Sequence, residues 1–203
     1  MNEKERSVFN LQQQIGSLDA KIVVALERIS EVFRVSLWNM GKEHGLSPLQ
    51  IQLLIFLNFH SSEKCKVSYL AQEFSLSKPT ISEAVRTLLK KELIGKETDT
   101  ADSRSYTIHL TPTGKQLCGR VAHFANDLQP ALKDWDEKRK SLFYKDLLDL
   151  IFQLQKLGFI SVQRTCYRCR FLQTTGQGHY CQLLKMPLQT PDLRVDCPEF
   201  EKA

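Results

Sequence analysis

The residues best equipped for chemistry lie near the end of the chain, where Cys166, Cys169, Cys181 and Cys197 account for four of the six cysteines. A Cys-x-x-Cys pair such as Cys166 and Cys169 lets two thiolates grip one metal ion from a single turn, and two ligands returning from a loop complete a tetrahedral site. Eleven residues lie between Cys169 and Cys181, and 15 between Cys181 and Cys197. His179, two residues before Cys181, is an alternative fourth ligand. In a reducing compartment such clustering favours metal or thiol chemistry over a disulfide framework. Zn²⁺ held by the four cysteines is the expected occupant, with an iron–sulfur cluster as the alternative and metal-free thiols forming switchable disulfides as a third reading. Cys197-Pro198 matches the Cys-Pro ending of some ferredoxin motifs, but the C-x₂-C-x₂-C run is missing. Arg164, Arg168, Arg170 and Arg194 either lower the thiol pKa values or form a solvated basic face. Cys65 and Cys118 are isolated, and Cys118 beside Leu117 reads as a small buried hydrophobe.

A second constellation has the chemistry of DNA reading. The N-terminal end of a recognition helix must approach base edges and phosphates, so it needs small or hydrogen-bonding side chains facing outward. Ser77, Lys78, Pro79, Thr80, Ser82, Glu83, Arg86 and Thr87 supply such a face, while Ile81, Val85, Leu88 and Leu89 face inward. Downstream, Lys96, Arg104 and Lys115 bring cations to a short hairpin. Catalytic machinery is not in view: the sequence shows no nucleophile triad, phosphate-binding glycine loop or HExxH, and a non-enzyme is expected.

Those side chains need elements to hold them. The apolar residues from Val8 to Leu37 recur at steps of three and four, predicting one long amphipathic helix or two in tandem, ended by Gly41, Gly45 and Leu46-Ser47-Pro48. Ser47 and Pro48 read as N-cap and N1 of a helix to about residue 58. Short helices over 67–74 and 77–91 flank the turn Ser75-Leu76-Ser77, and strands over 93–97 and 106–110 follow. Helical periodicity returns over 117–128 and again over 137–157, then disappears after Gly158, so 160–203 is either a disordered tail or a small module held by something other than a core. The fold class expected is mainly α with a small β-wing: a winged helix-turn-helix flanked by long dimerisation helices, plus a small cysteine-rich module. The expected divisions are 1–45, 46–115, 116–159 and 160–203.

Composition agrees with a globular chain. Hydrophobic residues make up 42% and charged residues 25%, with a net charge of +5 that permits nucleic-acid binding without establishing it. The longest apolar run, 53–57, is far below the roughly 20 residues a bilayer span requires, so no membrane partner is expected. The opening MNEKERSVFNLQQQ has no apolar h-region, and a cytoplasmic location is the expectation.

Residues 46–120 resemble the MarR family of bacterial winged-helix transcription regulators. The resemblance rests on LSPLQIQLLIFL, on VSYLAQEFSLSKPTISEAVRTLLKKELI, and above all on DSRSYTIHLTPTG, which carries the family's Asp-x-Arg pair and Leu-Thr-x-x-Gly at Asp102, Arg104, Leu110, Thr111 and Gly114. It implies that Arg104 reaches into a minor groove and that Asp102 steadies it by a charge-assisted hydrogen bond. It also implies a homodimer whose terminal helices interlock over a palindromic operator, with a ligand pocket near Trp38 and Trp135. Two departures stand out: Lys96 replaces a common Arg, and Glu92 occupies a usual Gly position, at a cost of about 1 kcal/mol if the backbone there is left-handed. The expectation is a homodimeric repressor of double-stranded DNA, with a small-molecule effector left open. Loss or oxidation of the bound metal is expected to rotate the dimer helices. The competing expectation is a thiol- or metal-dependent protein-interaction module whose winged helix mainly dimerises or docks a partner.

Overall fold

The computed structural model describes residues 7–98, 106–160, 164–176 and 178–203. The long N-terminal stripe forms two helices, α1 (Leu11–Gly16) and α2 (Leu18–His44). Ser17 adopts extended geometry between them and caps α2 by accepting a hydrogen bond from the Ala20 N–H at 3.1 Å. At 27 residues, α2 is about 40 Å long. Gly41 does not end it, contrary to the sequence reading. A Cβ at that position would sit 2.3 Å from the Leu46 carbonyl oxygen, so Gly41 serves close approach, and left-handed Gly45 (φ 63°) terminates the helix.

Capping chemistry starts the next helix where the sequence placed it. Ser47 and Gln50 form a reciprocal capping box at the head of α3 (Pro48–Phe59). This helix is apolar almost all round and is the centre of the core: Ile51, Leu53 and Leu54 are fully buried, with Leu70, Ile81, Leu88, Ile108 and Val121 packed about them. Each such side chain contributes about 1.5–3 kcal/mol on leaving water. Helices α4 (Val67–Glu73) and α5 (Lys78–Lys90) pack on this core, and α5 runs into the antiparallel hairpin β1 (Ile94–Thr98) and β2 (Tyr106–Leu110), with Ile94 opposite Leu110. Ile108 N–H donates to the Cys65 carbonyl at 2.8 Å, tying the hairpin to the segment before α4.

Thr111 and Pro112 repeat the cap-then-proline start, so α6 (Pro112–Val121) begins and ends earlier than the 117–128 periodicity suggests. A 3₁₀ stretch, Asn126–Leu132, follows, with Pro130 unable to donate within it. Helix α7 (Glu137–Lys156) is capped by Asp136.

The C-terminal segment is ordered into an antiparallel sheet of β3 (Leu172–Thr175), β4 (Gly178–Cys181) and β5 (Met186–Leu188), with 3₁₀ turns at Cys166–Arg168 and Thr190–Asp192. Its apolar centre is small: Leu188 and Leu193 pack with Leu148 of α7, and Tyr144 Oη donates to the Leu193 carbonyl at 2.6 Å. No helix among the described residues is long and apolar enough to cross a membrane. Leu11, Ile15 and Leu18 remain about 70% exposed, and Ile22, Ile29, Trp38, Leu142 and Leu157 are also exposed.

Candidate functional site

The helix-turn-helix is built from α4, the turn 74–77 and α5. Ser75 takes a left-handed conformation (φ 51°) in that turn, and Ser77 Oγ caps α5 by accepting from Thr80 N–H at 3.2 Å. Ile81, Ala84, Val85 and Leu88 face the core, which turns Ser77, Lys78, Pro79, Thr80, Glu83 and Arg86 to the exposed side, with Ser82 and Thr87 half-buried at its margin. Glu83 and Arg86 pair on this surface, an exposed contact that a phosphate or base edge can displace at little cost.

The end of α5 is a Schellman motif: Leu93 N–H donates to the Leu88 carbonyl and Glu92 N–H to that of Leu89. Glu92 has φ 57°, so the left-handed position that glycine usually fills is indeed occupied by a β-carbon here. Gly114 answers a different need, since a Cβ there would lie 1.8 Å from the Leu93 carbonyl oxygen. These two positions seat the hairpin against α5. At the hairpin, the exposed Lys96 ammonium lies 4.1 Å from the Tyr106 ring centroid. Asp102 and Arg104 lie outside the described residues.

The four clustered cysteines come from separate points of the C-terminal segment and line one small cavity of about 30 Å³ together with Phe171, Leu183, Leu188 and Arg194. His179 does not line it. The histidine sits on β4, with Nδ1 3.0 Å from Thr174 Oγ1. Cys166 and Arg194 are joined twice, through Cys166 N–H to the Arg194 carbonyl (3.1 Å) and Arg194 N–H to Cys166 Sγ (3.2 Å). Backbone donors to sulfur of this kind orient and stabilise thiolates at metal sites. The four form no disulfide, and no group of three or more His, Cys, Asp or Glu among the described residues has metal-holding geometry.

Burial raises two of these thiols, outweighing the nearby Arg194. It pushes Cys166 up despite the Arg194 N–H, and Cys197 up despite Arg194. The arginines have other work. Arg168 lies over Phe152, Arg170 pairs with Glu201 at 2.6 Å, and Arg194 reaches both Cys197 and Glu199. Cys65 and Cys118 are buried apart from this group, each with its thiol pushed up by desolvation.

Arg164 is the residue whose role the sequence did not disclose. Its side chain is 6% exposed and forks onto two carboxylates. Nη1 and Nη2 donate to Glu73 at 2.5 and 3.2 Å, while Nε and Nη2 donate to Asp196 at 2.6 and 3.0 Å. Nη1 also donates to Tyr69 Oη at 3.2 Å, the guanidinium lies 5.4 Å from the Phe56 ring, and His60, stacked on Phe56, places Nε2 2.8 Å from Asp196. Burial opposes the arginine's charge, but the hydrogen bonds to Asp196, Glu73 and Tyr69 outweigh it and raise its pKa. At Asp196 burial is likewise outweighed, by Arg164 and His60, and the carboxyl is held at about 2. The partners lie 32 to 136 residues apart in the chain, a separation that leaves no local sequence signal.

Comparison with known proteins gives these geometries a family context. Residues 44–105 match the sequence model of the MarR family, whose members are DNA-binding transcription regulators and not enzymes. No curated protein matches the chain. Among solved structures, the S. aureus MepR–DNA complex is similar with a TM-score of 0.58 and 20% identity, over 65% of this chain and 97% of that one. S. aureus MepR in its DNA-binding conformation gives 0.59 and 20%, over 66% and 98%. A MarR transcriptional regulator from Methanosarcina mazei Go1 gives 0.55 and 20%, over 68% and 98%. At these identities the likeness is one of fold, and it accounts for nearly all of each solved chain but only about two thirds of this one.

Proposed function

We propose that this chain, with its match to the MarR-family model over 44–105, is a homodimeric transcription repressor that carries its own metal centre. The observation that carries the reading is the exposed polar N-terminal half of α5 on a buried aliphatic support. Ser77, Lys78, Pro79 and Thr80 enter the major groove of double-stranded DNA, Ser82, Glu83, Arg86 and Thr87 extend the contact, and Lys96 grips the backbone. Arg104, steadied by Asp102, takes the minor groove. Apolar surface on α1, α2 and α7 supports pairing with a second copy, which sets two recognition helices on a palindromic operator. An open cleft of about 390 Å³ beside Trp38, Gly45 and Leu46 is the place for an effector.

In the C-terminal segment, Cys166, Cys169, Cys181 and Cys197 bind Zn²⁺ as thiolates. Their convergence on one cavity supports this, as does the smallness of the apolar centre beside them. Binding releases the protons that burial favours on Cys166 and Cys197.

Fluorescence anisotropy against a duplex recovered from a randomised pool tests the DNA reading. Affinity is expected to fall by about 0.9 log units per phosphate contact for each decade of salt, and Arg104→Ala to weaken it further. Salt-independent binding, or no binding to any duplex, refutes the DNA reading and favours a protein-docking winged helix. Elemental analysis of anaerobically purified protein tests the centre: zinc near one per chain supports it, iron with acid-labile sulfide replaces zinc by a cluster, and no metal refutes it.

A further inference from the structure

We propose that the Arg164 clasp transmits the loading of the four-cysteine centre to the helix-turn-helix of the same protomer. This rests on the metal reading above. The clasp lies where the two parts meet. Arg164 is two residues before Cys166, and Asp196 immediately precedes Cys197. Their backbones are joined as well, since Cys197 N–H donates to the Arg164 carbonyl at 3.0 Å. Two of the four thiol-bearing residues therefore hang on the same short pair of segments that presents Arg164 and Asp196.

On the other side, Glu73 is the last residue of α4 and Tyr69 lies one turn before it. The turn 74–77 and the N-cap of α5 follow directly, and Phe74 packs edge-on against Phe56 beneath the clasp. Holding Glu73 fixes the entry to the proposed recognition helix. The route is local and polar, and it differs from a rotation of the dimer helices. The C-terminal segment also rests on Leu148 of α7, but an apolar contact tolerates sliding. Fork-to-carboxylate pairs do not, because each donor must meet its own oxygen in the plane of the guanidinium.

A metal that binds Cys166 and Cys197 together holds the 164–166 and 194–197 segments in register, and with them both halves of the clasp. Loss of the metal lets the segments part, so Asp196 no longer steadies Arg164 and Glu73 loses a fixed partner. The loaded protein is thus the form with its α4–turn–α5 unit ordered for DNA.

The test compares zinc-loaded and chelator-stripped full-length protein, kept reduced, on the duplex recovered from the randomised pool. Wild type is expected to bind about 10-fold more tightly when loaded. Glu73→Gln should keep zinc near one per chain yet shrink the difference below about twofold, and Tyr69→Phe, a milder change checked by thermal melting, should reduce it to about threefold. An equal affinity of loaded and stripped wild type, or an undiminished difference in both variants, overturns the clasp as transmitter while leaving the metal centre intact. Failure of wild type to take up zinc overturns the metal reading itself, and the transmission with it.

Discussion

Replacing Arg164 by leucine keeps the apolar stem and deletes the charge that two carboxylates share. Removing one member of a buried ion pair costs about 3–5 kcal/mol, because the remaining charge is stranded. Here the cost is smaller. Glu73 is 17% exposed, but Asp196 keeps 46% of its side-chain surface and regains water, which brings the expected loss to about 2–4 kcal/mol. The loss should appear as local opening of the C-terminal segment, which the clasp fastens to α4. The reporters are the Cys197 amide, bonded to the Arg164 carbonyl at 3.0 Å, and the Cys166 amide, bonded to that of Arg194 at 3.1 Å. Hydrogen exchange tracked by mass spectrometry over 164–200 should accelerate roughly 30- to 1,000-fold, with peptides from α3 unchanged. Acceleration under about threefold would show that the guanidinium is not gripped as described.

Other consequences are more local. Glu92→Gly relieves a left-handed residue at the end of α5 and should stabilise the protein by about 0.5–1 kcal/mol, read as a higher urea midpoint with unchanged slope. Gly114→Ala should destabilise by more than about 3 kcal/mol in the same assay, since its Cβ meets backbone 1.8 Å away and no rotamer can yield. Desolvation raises the Cys65 and Cys118 thiols, so less thiolate is present at neutral pH, and iodoacetamide should leave both unlabelled until denaturant is added.

Much of the fold was legible wherever a short sequence signal has one structural meaning. Ser47-Pro48 and Ser77 each start a helix because a hydroxyl meets an orphan N–H, and Pro48 needs no donor partner there; Thr111-Pro112 starts α6 by the same chemistry, which the 117–128 reading passed over. The resemblance flagged Glu92 as a usual glycine position but left its backbone geometry open, and φ 57° makes it left-handed. Gly41 was misread because glycine marks both helix ends and close approaches, and only the Leu46 carbonyl tells them apart. The 117–128 stripe ran past the true end of α6, since apolar spacing persists through the 3₁₀ stretch that follows. Of the candidate sites, the outward face of α5 could be read from periodicity and the grouping of four cysteines from spacing. The clasp could not, because Glu73, Arg164 and Asp196 are joined only by tertiary folding.

The proposed assembly is two copies of this chain on one DNA duplex, each with a metal at its cysteine cluster. Native mass spectrometry of the anaerobically purified protein mixed with the selected duplex reads all three components in one mass. The expected mass is that of two chains, one duplex and one zinc per chain, with the zinc lost when Cys166 and Cys169 are changed to serine. A single chain on the duplex, or chains that never retain DNA at low salt, would contradict it.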